Sequence, residues 1–259
     1  MRNLRVALIQ EELAWHDPEA NRTRFAGLIT PLEGKADLIV LPEMFTTGFT
    51  MEPSALAETM EGATADWMRR MARETGADLA GSVVIREGER FYNRLLWVRP
   101  GGEVLHYDKR HLFRMAGEEK VYSPGTLPLT VELEGWRLRP FICYDLRFPA
   151  WARSRGLDYD AAVFTANWPA RRSEHWRTLL RARAVENQCY VIGVNRVGTD
   201  GNGVAYSGDS TVIDYAGNIL FEKSGSPCVH IAELSLEGLR EYREAFPAWK
   251  DADDFRLGG

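Results

Sequence analysis

Asp37-Leu38-Ile39-Val40-Leu41-Pro42-Glu43 is a short apolar run that a proline ends at once. Such a run reads as a buried strand, and Pro42 places Glu43 at its carboxyl end. On the amino-terminal side, Leu4 to Gln10 reads as another strand. Asp17-Pro18-Glu19 then starts a helix with a capping side chain and a proline in the first turn, and Phe25, Leu28, Ile29 and Leu32 recur at helical spacing. On the other side Thr64 is placed to cap a helix with Trp67, Met68 and Met71 on its apolar face. Gly76 closes it before a strand around Leu79 to Ile85. Strand, helix and strand alternate, which is the signature of an α/β fold.

The alternation continues along the chain. Phe91 to Tyr107 holds two strand-like runs about Pro100-Gly101-Gly102, a hairpin signal. Further strands are predicted at Leu127 to Leu133, Trp136 to Cys143, Ala161 to Ala166, Tyr190 to Asn195, Val204 to Tyr215, Ile219 to Glu222 and Val229 to Leu234. Helices are expected near Phe148 to Arg155 and, capped by Ser173, through Trp176, Leu179, Leu180 and Ala184. The glycines at 193, 198, 201, 203 and 208 do not form a GxGxxG fingerprint and read as turns. With no linker in view, the pattern predicts two packed sheets with helices outside, in one domain spanning residues 1–259.

Composition narrows the function. The 259 residues are 45% hydrophobic and 27% charged, as in an ordinary globular protein. A net charge of -5 argues against nonspecific nucleic-acid binding and for a small-molecule partner. The longest stretch without a charged residue, Val121 to Val131, is too short to cross a bilayer, and the run at Val6 to Ile9 is too short for a signal-peptide core. Cys143, Cys189 and Cys228 are odd in number and widely spaced, giving neither a disulfide framework nor a CxxC motif. A reducing cytoplasm is the expected setting.

Cys143 stands where the apolar strand Phe141-Ile142 breaks into Tyr144-Asp145-Leu146-Arg147-Phe148-Pro149. A strand-to-helix elbow presents a nucleophile and aims backbone amides at a developing oxyanion; a buried structural cysteine is the plainer alternative. Cys189 and Cys228 lie in apolar strand patterns and read as structural. A reference thiol is only about 3% thiolate at neutral pH, so a catalytic cysteine needs a base or cation nearby. None of His16, His106, His111, His175 and His230 falls at a strand end beside a carboxylate; His111 is the best of them for a Cys-His-Asn arrangement. A partly desolvated carboxylate is the other option, and Glu43 is placed for it, unless it merely caps or pairs after Pro42. Lys109, in His106-Tyr107-Asp108-Lys109-Arg110-His111, is either part of a solvated basic cluster or a fixed ammonium for the oxyanion.

Three motifs in order decide between these readings: Leu41-Pro42-Glu43, Tyr107-Asp108-Lys109-Arg110-His111-Leu112 and Cys143-Tyr144-Asp145-Leu146-Arg147-Phe148-Pro149. Together they resemble the nitrilase superfamily. The resemblance covers essentially the whole chain, including Asn167-Trp168-Pro169 and Arg181 to Gln188, and is nearest to the omega-amidase branch. It implies a four-layer αββα sandwich, a homodimer or higher homo-oligomer, and neither metal nor organic cofactor. It implies that Cys143 is the nucleophile, Glu43 the general base and acid, and Lys109 the oxyanion stabiliser, helped by the Tyr144 backbone N–H. Glu118 matches the supporting glutamate before Ser123-Pro124-Gly125 better than Glu119 does, whereas Ala150 departs from a glutamate that many relatives carry. The expected substrate is a 2-oxo acid amide such as 2-oxoglutaramate or 2-oxosuccinamate, with Phe113, Trp168 and Trp176 as candidate pocket walls and Arg171 or Arg172 facing an acidic group. Another small-substrate amidase or carbamoylase, or a noncatalytic sandwich protein, is the alternative.

Overall fold

Burial with a period of two shapes the first sheet. In β1 (Leu4–Gln10), Leu4, Val6 and Leu8 face one core while Ala7 and Ile9 face another. After α1 (Pro18–Ile29), β2 (Leu38–Val40) repeats the pattern, with Leu38 and Val40 on one side and Ile39 and Leu41 on the other. A strand buried on both faces belongs between two layers. The computed structural model describes residues 2–257 and has those layers.

The chain continues through α2 (Pro53–Leu56), α3 (Ala63–Thr75), β3 (Asp78–Glu87), β4 (Arg90–Val98) and β5 (Val104–Asp108). Next come β6 (Val131–Leu133), β7 (Trp136–Ile142), α4 (Pro149–Ala152), β8 (Ala161–Ala166), α5 (Ser173–Asn187) and β9 (Tyr190–Asn195). The last elements are β10 (Val197–Thr199), β11 (Ala205–Ile213), β12 (Ile219–Ser224), β13 (Cys228–Leu234) and α6 (Leu236–Ala245).

One sheet runs β13-β1-β2-β3-β4-β5, and the other is built on β11-β9-β8-β7-β6 with β10 and β12 also paired to β11. Both are mixed sheets. β1, β2 and β3 run parallel, as do β7, β8 and β9. The shared core between the sheets draws Val6, Val40 and Trp97 from the first and Leu138, Val163 and Ile192 from the second. The outer face of the first sheet packs Ile39, Leu79 and Leu96 against Phe25 and Ile29 of α1 and Met68 and Met71 of α3. With α5 packed on β9 and β11, the result is the expected four-layer sandwich.

Parallel strands put their carboxyl ends at one edge, where ligands of α/β proteins gather. In the first sheet β5 runs antiparallel to β4, and β4 to β3, so β5 also ends at that edge. The segments after β2, β5, β7 and β8 therefore converge. Those are the segments carrying Glu43, Lys109, Cys143 and Asn167.

Local readings differ from the structure in several places. Thr64 does not cap α3: Gly62 is the capping position, and the Glu58 carboxylate accepts from both the Thr64 N–H and its hydroxyl. Ser173 does not cap α5 either, because its hydroxyl donates to Asp209 at 2.7 Å. The helix expected over Phe148 to Arg155 is only α4, since Asp158 captures the Ser154 hydroxyl and the Arg155 N–H, and Gly156 and Leu157 both take positive φ. The strand expected from Leu127 pairs only over Val131–Leu133. Gly193 is no turn residue but lies within β9, where a Cβ would stand 2.6 Å from Leu180 and 3.0 Å from Trp176 of α5. A glycine there lets helix and sheet close up.

Candidate active site

Glu43 is fully buried, and each of its oxygens is engaged. Oε1 accepts from Lys109 Nζ at 2.9 Å and from Asn93 Nδ2 at 2.7 Å, while Oε2 accepts from the Asn167 backbone N–H at 2.8 Å. Lys109 is also buried and donates to both oxygens of Glu118, at 3.0 and 2.9 Å. Glu118 accepts in addition from the Phe113 N–H at 2.6 Å. Lys109 is thus clamped between two carboxylates, Glu43 from the end of β2 and Glu118 from the segment that follows β5.

The electrostatics follow from that clamp. Burial works against the Lys109 ammonium, but Glu118 and Glu43 outweigh it and raise its pKa, so the lysine stays cationic. Burial pushes the Glu118 carboxyl up, with Lys109 pulling the other way. The Cys143 thiol is pushed well above its ordinary range by burial and then by the Glu43 charge, with Lys109 opposing. At neutral pH the sulfur therefore keeps its proton beside a carboxylate able to receive it.

Cys143 has φ of 44°, the left-handed region that non-glycine residues seldom occupy. Asp145 holds this turn. Its buried carboxylate accepts from the Ile142 N–H, the His111 N–H and the Tyr107 hydroxyl, and pairs with His111 Nδ1 at 2.8 Å. The five residues from Cys143 to Arg147 form a 3-10 turn rather than the start of a long helix, so the backbone amides that follow the sulfur belong to a short turn. Cys189 provides the contrast. It is buried near the Arg183 carbonyl, burial pushes its thiol up to about 12, and it touches none of these groups.

Cys143 and Lys109 both reach a cavity of about 310 Å³. Phe49, Phe113, Tyr144, Trp168 and Tyr206 supply its aromatic walls, and Arg147, Arg171, Arg172 and Asp200 are among the charged residues of the lining. That volume is at the small end of ligand sites. Arg172 stacks over Phe113 at 5.2 Å, and among the described residues no carboxylate pairs with it. Burial and the neighbouring Arg171 and Arg147 lower its pKa, so a bound anion would relieve the cluster.

Residues 5–244 match the family model of carbon-nitrogen hydrolases. The chain belongs to the carbon-nitrogen hydrolase family. Omega-amidase YafV of Escherichia coli is 50% identical over 258 residues, covering 99% of this chain and all of that one. The 2-oxoglutaramate amidase of Bacillus subtilis is 32% identical over 250 residues, with 95% and 96% covered. Among solved structures, XC1258 of Xanthomonas campestris, a CN-hydrolase superfamily protein with an arsenic adduct in its active site, superposes with a TM-score of 0.98 at 46% identity over the full length of both chains. This carbon-nitrogen hydrolase is therefore an amidase of the nitrilase superfamily, on its omega-amidase branch.

The hydrolase brings Glu43, Lys109, Glu118 and Cys143 into one cluster and places Tyr144, Phe113, Trp168 and Arg172 around the cavity beside it. Trp176 does not wall that cavity. It is fully buried behind Trp168, with ring centroids 5.5 Å apart, and donates to the Asp209 carbonyl. Ala150 is absent from the cavity lining, so its departure from the family pattern leaves this surface untouched. His111 is held by Asp145 and stacked on Phe148, away from the lining, which leaves the Cys-His arrangement without support. Sequence reasoning missed Asn93, Ser82 and the Asn167 backbone. The available signal was faint: Ser82 interrupts the apolar middle of β3, and Asn93 stands beside Arg94 in β4.

Proposed function

We propose that this hydrolase cleaves the terminal carboxamide of a small 2-oxo acid amide, 2-oxoglutaramate or 2-oxosuccinamate, to a dicarboxylate and ammonia through a thioester on Cys143. The observation that carries the proposal is a strained, cavity-facing cysteine beside a buried Glu43-Lys109-Glu118 cluster, with Arg172, which pairs with no carboxylate among the described residues, at the same cavity. The relatives named omega-amidase and 2-oxoglutaramate amidase support the same substrate class.

In this reading Glu43 takes the Cys143 proton as sulfur bonds to the amide carbon. Lys109 and the Tyr144 N–H stabilise the resulting oxyanion. Glu43 gives the proton to the amide nitrogen, the C–N bond breaks and ammonia leaves. Water then attacks the thioester while Glu43 accepts its proton, the C–S bond breaks, and sulfur regains a proton. A thiol nucleophile and three unpaired cysteines suit a reducing cytoplasm. The uninterrupted family match supports one catalytic domain, and the family resemblance supports a homo-oligomer.

Arg172 is the proposed partner of the substrate's distal carboxylate, because a guanidinium meets a carboxylate in a bidentate pair. Ammonia release from 2-oxoglutaramate should exceed that from a neutral amide of equal length by at least about 100-fold in kcat/KM, as expected for a charge-assisted contact worth ~3 kcal/mol. Arg172→Met should erase most of that preference and raise KM more than it lowers kcat. Equal use of both amides by the unaltered protein would point to another small amide.

A further inference from the structure

We infer that Asn93 is a positioning residue that determines which oxygen of Glu43 exchanges the proton, with Ser82 fixing the orientation of Asn93. The inference rests on the reading of Glu43 as general base and deepens it.

β2, β3, β4 and β5 lie side by side, and Glu43 just past β2, Ser82 within β3, Asn93 within β4 and Lys109 just past β5 form a row of buried polar residues. The Met44 N–H donates to Ser82 Oγ at 2.8 Å, and Ser82 Oγ–H donates to Asn93 Oδ1 at 2.8 Å. Ser82 Oγ accepts from Met44 and gives its single proton to Asn93 Oδ1, which leaves the Asn93 NH₂ for the carboxylates. Turning the amide over would set its oxygen against Glu43 Oε1, acceptor facing acceptor. The amide nitrogen stands 2.7 Å from Glu43 Oε1 and 3.4 Å from Glu118 Oε1. The Asn93 carbonyl also accepts the Lys109 N–H at 3.0 Å, so one residue locates both the base and the cation.

Asn93 and Lys109 together occupy both acceptor sites of Oε1. Among the described residues Oε2 accepts one backbone donor, the Asn167 N–H, which leaves its second site for the Cys143 thiol that hydrogen-bonds to Glu43. The same Asn167 residue places its carbonyl 4.0 Å from Cys143 Sγ, so Oε2 and the sulfur flank one short segment of backbone. Oε2 is therefore the oxygen that takes and returns the proton. Met44, with φ of 43°, begins the turn after Glu43, and its N–H on Ser82 ties that turn into the same row. Asn93 touches no reacting atom in this account. It prevents the carboxylate from rotating its free oxygen away.

A double-mutant cycle tests this. Asn93→Ala should lower kcat by about 100-fold, the scale of a misplaced catalytic group, with KM within about threefold of the parent. Ser82→Ala, a smaller change that preserves packing, should lower kcat by about 10-fold in the same direction. In a Glu43→Gln background neither substitution should reduce the residual rate further, because no proton-transferring oxygen remains to be positioned. Thermal melts must find each protein folded at the assay temperature, and Ser82→Ala decides the question if Asn93→Ala does not fold. Equal losses in both backgrounds would assign Asn93 a merely structural role and overturn the inference. So would an unchanged kcat in Ser82→Ala and Asn93→Ala while Glu43→Gln is inactive, an outcome that leaves the general-base reading standing. Full turnover by Glu43→Gln would instead sink that reading itself.

Discussion

Cys143→Ala should lose ammonia release from every amide by about 10⁴-fold or more in kcat, the scale seen when a covalent nucleophile is removed. That corresponds to ~5.5 kcal/mol of barrier. The loss should come without unfolding, because the turn is held by the Asp145 carboxylate rather than by the sulfur. Alanine also removes only a small side chain. A melting temperature within a few degrees of the parent, read by circular dichroism beside the ammonia assay, separates chemistry from stability. Turnover retained in Cys143→Ala would reduce Cys143 to a structural cysteine in an unusual backbone conformation.

Glu43→Gln should cost roughly 10³-fold in kcat at neutral pH, within the range that a general acid-base contributes. The glutamine keeps the shape but cannot receive a proton. Its effect has a sign that can be checked. Burial and then the Glu43 charge raise the Cys143 thiol, whereas Lys109 lowers it. Removing the Glu43 charge therefore leaves the thiol easier to ionise beside Lys109, so residual activity should climb with pH as thiolate forms. The deficit relative to the parent should shrink between pH 7 and pH 10. A deficit that widened toward alkaline pH would contradict the assignment of the proton to sulfur in the resting enzyme.

Much of this site was legible in the chain because strand ends are marked by chemistry. Pro42 cannot continue a ladder, so Glu43 had to leave the sheet at its edge. The break from Phe141-Ile142 into Tyr144-Asp145 likewise marked Cys143. Neither mark assigned a role, since a capping glutamate or a buried thiol produces the same local pattern; the joint order of three motifs did that. Asn93 and Ser82 were illegible for a different reason. They sit inside strands, and their partners come from neighbouring strands whose register no local pattern reports. Trp176 was misplaced because helical spacing identifies an apolar face without saying whether it meets a cavity or the core. The helix after Phe148 was overextended because the Asp158 side chain, several residues on, competes for the backbone and hydroxyl groups that would have continued it.

The central claim is that Cys143 carries the acyl group while Glu43 moves the protons. Intact-protein mass spectrometry of a rapidly acid-quenched reaction with 2-oxoglutaramate tests it most directly, followed by peptide mapping. The account predicts an adduct equal to the substrate minus ammonia, located on the peptide containing Cys143 and absent from Cys143→Ala. Steady turnover with no acyl adduct at any quench time, or an adduct on Cys189 or Cys228, would contradict it.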